Sequence, residues 1–169
     1  MNNIDLQYKN ITAVLTKELA VYETIIDLFR QKQDCILKGN IDNLKSIVEE
    51  IQSSSTLAKK YQTERDAITK LILDEMSNNG PHTMKSLMKA FDSKRSNELE
   101  MLHYKLKSSA IRVTELGREN DYLLSASVEH IKNLVSLFID RKDSTSINYN
   151  NDGLLSESKL EHKVLDIQV

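Results

Sequence analysis

The sequence predicts an all-α protein: an antiparallel helical hairpin followed by a long third helix, as a three- or four-helix bundle or coiled coil, with a flexible C-terminal tail. Three observations lead there. Apolar residues recur at steps of three and four over long windows, the period of one face of an α-helix. Breakers are scarce, with one Pro and four Gly in 169 residues, whereas a sheet protein would need many turns. Gly39, Gly80, Gly117 and Gly153 also divide the chain into segments of similar length, with Pro81 reinforcing the second break.

The first stripe runs Ile4, Tyr8, Ile11, Leu15, Leu19, Tyr22, Ile25, Ile26, Phe29, Cys35, Ile36 and predicts a helix over 4–38. Asn3 is a candidate N-cap, and Gly39 supplies the stop. A second helix is predicted over 41–76, capped by Asn40 or Asp42. Its stripe is Leu44, Ile47, Val48, Ile51, Ala58, Tyr61, Arg65, Ile68, Leu71 and Ile72. Ser53 to Ser55 should make a thin or locally flexible waist in it, because Ser hydroxyls compete for backbone groups. "SNNGPH", residues 77–82, reads as a turn.

The third pattern starts at Thr83 and runs through Met84, Leu87, Met88, Phe91, Arg95, Leu99, Leu102, Leu106, Ser109, Val113, Leu116, Asn120 and Leu123 to Phe138. It predicts a helix over 83–141, interrupted only by Gly117, a candidate hinge. One mid-helix Gly costs about 1 kcal/mol against Ala. Residues 1–141 then form one helical domain and 142–169 a mobile tail.

Length sets up a mismatch. The first two helices would each span ~50 Å and the third nearly ~90 Å if continuous. The third must run back along the second, which is used up near Gly117. Beyond lies "ENDYLLSASVEHIKNLVSLFID", where Leu123, Leu124, Ser127, Val128, Ile131, Leu134, Val135, Phe138 and Ile139 share one arc of roughly 160°. Burying its eight aliphatic or aromatic side chains is worth upward of ~12 kcal/mol gross. Either Gly117 bends and the segment folds back as a fourth helix, or another chain covers it. A homodimer seam would satisfy the same stripe.

Composition narrows the function. A formal charge of −2 and the lack of any Lys/Arg run argue against nucleic acid. "MNNIDLQYKN" has neither the basic start nor the apolar block of a signal peptide, and no apolar run reaches the ~20 residues of a membrane span. A lone Cys35 fits a reducing cytoplasm, where it serves as a small packing residue. Glu100 and His103 have the Glu-x-x-His spacing of di-iron bundles, but no second such pair exists. With no phosphate loop, paired-Cys motif or nucleophile elbow, neither an enzyme nor a bound cofactor or metal is expected. In the polar tail Tyr149 stands out as an isolated aromatic anchor. From Ser156 the chain reads either as a short helix with Leu160, Val164 and Ile167 on one side or as a frayed end.

Several pieces, in order, resemble the FlgN-type flagellar export chaperones. They are "CILKGNIDNLKSIVEEI", the Glu64-Arg65 pair, "ENDYLLSASVEHIKNLVSLF" with Asn120 before a Leu-Leu pair, and "YNNDG" from Tyr149 to Gly153. The resemblance implies a cytoplasmic helical chaperone, not an enzyme. It would bind the C-terminal helical regions of hook-associated (hook–filament junction) proteins, prevent their premature assembly and deliver them to the flagellar type III export gate. Carried onto this chain, client binding falls to Asn120, Leu123, Leu124, Val128, Ile131, Leu134, Val135 and Phe138, and export-gate docking to Tyr149. The tail beyond Gly153 is longer than is usual in the family. A homo-oligomeric coiled-coil adaptor is the alternative reading of the same stripe, and a client-free homodimer is compatible with both.

Overall fold

The computed structural model describes residues 3–76, 80–143, 148–149 and 155–156. It contains four helices, α1 (Asn3–Lys38), α2 (Ile41–Glu75), α3 (Met84–Ala90) and α4 (Ser93–Asp143), then two short strands, β1 (Asn148–Tyr149) and β2 (Leu155–Ser156). The predicted all-α architecture is present. The chain divides into two compact units, Met1–Ser125 and Ala126–Val169.

In the first unit α1 and α2 form the expected hairpin. Gly39 takes φ +65°, a backbone region that costs other L-residues energy. Its N–H donates to the Ile36 carbonyl and the Asn40 N–H to that of Cys35, the paired bonds of a Schellman stop. The Asn40 side chain then accepts from the Asn43 N–H and starts α2. Antiparallel pairing results, with Arg65 on Glu18 at 2.9 Å and Asn3 on Glu75 at 2.9 Å. Across Ser53 to Ser55 α2 stays helical. The Ser53, Ser55 and Thr56 hydroxyls donate to the carbonyls four residues back rather than competing with the helix.

The predicted third helix is two helices. Phe91 is extended (φ −105°, ψ 162°) and ends α3. The Asp92 carboxylate then accepts the N–H groups of Lys94 and Arg95, both at 3.1 Å, and caps α4. The apolar rhythm hides this break because Leu87 on α3 and Leu99 on α4 enter the same core, both at 0% exposure.

Within this unit α4 runs parallel to α1. Arg95 meets Asp5 at 2.5 Å, Tyr8 donates to Glu98, and Gln33 donates to Glu119 at 3.1 Å. The core between them holds Ile11, Leu15, Ile72, Leu73, Leu87, Leu99 and Leu106. Gly117 stays inside α4 without ending it, and a Cβ there would meet the Phe29 ring at 3.7 Å. Folding back at Gly117 into a fourth helix, one of the two sequence-based options, does not occur.

In the second unit the last turns of α4 are followed by β1 and β2, which pair antiparallel, Asn148 with Ser156 and Tyr149 with Leu155. This pairing reverses the chain direction within the predicted tail.

Candidate functional site

The apolar stripe of α4 is the feature that most needs a function. It arises from helical geometry: residues spaced by three and four share a face. In the second unit Val128, Ile131, Leu134, Val135 and Phe138 lie on that face, and each is exposed, from 42% for Leu134 to 68% for Phe138. Ile139 beside them is also exposed. Exposed leucines are ordinary when scattered; five apolar side chains on one face within eleven residues are not.

The other expected stripe residues belong to the first unit and behave differently. Leu124 is 38% exposed and Leu123 is half-buried. Asn120 is 0% exposed: its amide donates to the Leu116 carbonyl at 2.7 Å, and its Oδ1 has no hydrogen-bond partner among the described residues. The reason is register. Lys38, the last residue of α1, comes five residues after Gln33, and Gln33 meets Glu119, so α1 accompanies α4 to about Leu124. Asn120 sits inside that overlap. As folded here, a partner touching the exposed stripe does not touch its side chain.

Tyr149, expected as a docking residue, has its backbone in β1 opposite Leu155. Its side chain, Gly153 and the possible helix after Ser156 lie outside the described residues.

A polar cluster that sequence reasoning missed sits in the bundle. Glu18, on the α1 stripe, is 1% exposed and receives one Arg65 guanidinium nitrogen on both carboxylate oxygens at 2.9 Å. Tyr22, Gln62, His103, Lys107 and Ala110 complete a shallow cleft around them. Burial raises the Glu18 pKa against the opposing pull of Arg65, and burial likewise raises that of Tyr22. Burial, then Arg65 and Lys107, lower that of His103, whose Nδ1 has no hydrogen-bond partner among the described residues. A charged residue at a stripe position of α1 is the available signal, and Arg65 at a stripe position of α2 is its partner. The cluster contains one carboxylate bound to one guanidinium, which suits register-setting better than acid–base chemistry.

A second group ties the helix ends together. Tyr8 stacks edge-on to Phe91, lies 5.3 Å from the Arg95 guanidinium, and donates to Glu98. Burial, followed by the Glu98 hydrogen bond, pushes its pKa up to about 12. Among the described residues no group of His, Cys, Asp or Glu is arranged to hold a metal ion, and no helix is long and apolar enough to cross a membrane. Glu100 and His103 gather no further ligands among them.

The stripe, the hairpin and the long late helix can be set beside known proteins. A family model described as FlgN protein matches residues 1–157. The chain belongs to the FlgN family. That family is one of flagellar export chaperones rather than enzymes, and its members bind flagellar hook-associated proteins. No curated protein and no solved structure matches the chain.

Proposed function

We propose that this FlgN-family chain binds the C-terminal helices of hook-associated proteins on the α4 stripe, holds them from premature assembly and hands them to the flagellar export gate in the cytoplasm. The observation that carries this reading is the exposed face from Val128 to Phe138; Leu123 and Leu124 join it on the family resemblance alone. A client whose terminal helices pair with sister subunits presents an amphipathic face. Helix-on-helix packing is the mode that fits both surfaces. Asn120 belongs to this reading only as a buried residue inside the overlap with α1. Tyr149 is the proposed export-gate contact, on the family resemblance.

Delivery requires release, so affinity between about micromolar and nanomolar is expected, ~−8 to −12 kcal/mol. That is less than the gross burial because ordering the client has its own cost. Co-purification with the C-terminal helices of hook-associated proteins tests the site. Val128→Asp, Ile131→Asp and Phe138→Asp together change only exposed side chains, so helicity should survive while capture is lost. Undiminished capture by the folded triple variant would place the site elsewhere.

A further inference from the structure

We infer that the helix taken up by the α4 stripe is of an acidic type: an amphipathic partner helix carrying Asp or Glu beside its apolar row, level with Ile131. The inference rests on the reading of this stripe as the seat of a partner helix. Its ground is the way charge is distributed around the exposed face.

At about 100° per residue, Val128, Leu134, Val135 and Phe138 lie within about 60° of Ile131. His130 and Lys132, both exposed, lie about 100° to either side and form the edges of the stripe at that level. Between 126 and 139 the only carboxylate is that of Glu129, about 160° round, on the back of the helix. A partner therefore meets an ammonium on one edge, an imidazole on the other, and no negative charge on either. Such edges face the edges of the packed helix, as e and g residues do in a coiled coil. A Lys there lays its apolar stem along the seam and keeps its charge at the rim, and an imidazole N–H can donate to a carboxylate.

Elsewhere on α4 a cation is satisfied within the chain. Arg112 is held by Glu115 at 3.2 Å and by Glu119 at 3.4 Å. Lys132 has no ion pair among the described residues, so its charge is left for a partner. The charge of the whole chain works the other way. At −2 it favours basic peptides without regard to site, so a preference for acidic ones has to be local.

The test uses the full chain and two synthetic helical peptides. Both carry one apolar row of Leu and Ile spaced by three and four, flanked by Glu in one peptide and by Lys in the other. Binding is measured by titration calorimetry at about 0.1 M and about 1 M salt, which separates screened from unscreened charge. At the lower salt the Glu peptide should bind about threefold more tightly, the size expected of exposed charge pairs; at the higher the two should converge. Lys132→Glu should invert the preference and Lys132→Gln should erase it, with helicity unchanged in both. The triple variant Val128→Asp, Ile131→Asp, Phe138→Asp should bind neither peptide. Equal binding of the two peptides, a preference for the Lys peptide, a preference that survives Lys132→Glu, or no binding of either would overturn the inference. The expected pattern in a chain that captures no hook-associated C-terminal helix would sink the client reading and leave the acidic preference of the stripe standing.

Discussion

Glu18 shows how one side chain can be costly and still specify a structure. Its carboxylate is almost fully buried and held by Arg65 at 2.9 Å. Such pairs contribute little net stability, but removing one partner leaves a buried charge unmatched. Glu18→Gln should therefore cost about 3 kcal/mol, toward the lower end of the range because Arg65 also reaches Asp66 at 3.2 Å. Urea denaturation measures this, and a loss well under 1 kcal/mol would deny the pair its structural role. His103 gives a pH signature. Its pKa is lowered by burial, Arg65 and Lys107, so the folded state disfavours the extra proton. The stability this contributes is present above the unfolded value near 6.5 and is lost as pH falls through the depressed folded value. Wild type should lose melting temperature relative to His103→Gln between about pH 7 and pH 5. A gap that does not change with pH would contradict that account. Glu18 acts in the opposite sense, since its raised pKa makes its own contribution largest in acid.

Most helices are legible from periodicity, and the exceptions have physical causes. The end of α1 and the start of α2 fall where Gly39 and Asn40 place them, because a left-handed stop and a side-chain cap are written in residue type. The break between α3 and α4 is not legible in the same way. Asp92 is a good cap, yet the stripe continues across it because both helices feed one core. Individual buried positions also slip: Leu73 is at 0% exposure, whereas Leu71, on the expected stripe, is at 54%. The exposed face of α4 is visible as an arc, whereas the burial of Asn120 needs the α1–α4 register, which no local pattern encodes. Gly117 reads as a hinge candidate, yet α4 passes through it. There the Phe29 ring would contact a new Cβ at an ordinary 3.7 Å. Gly117→Ala should thus stabilise the protein by about 0.5–1 kcal/mol, measured by thermal melting. A loss would show that the helix must flex at this point.

For the first unit as a body, the decisive feature is which helices pair locally and which do not. The α1–α2 hairpin is joined by two residues, while contacts between α1 and α4 link residues 86 to 90 apart in sequence. Closing that longer loop is entropically dearer, so α4 should be the less protected partner. Native-state hydrogen exchange on residues 93–116 should show faster opening than on residues 7–36; equal protection would mean the three helices open as one. The same asymmetry governs birth at the ribosome. The hairpin is complete before residue 93 emerges, so a two-rod intermediate must wait with its third side bare until α4 is synthesised. A member of a chaperone family thus begins with an unpaired flank of its own.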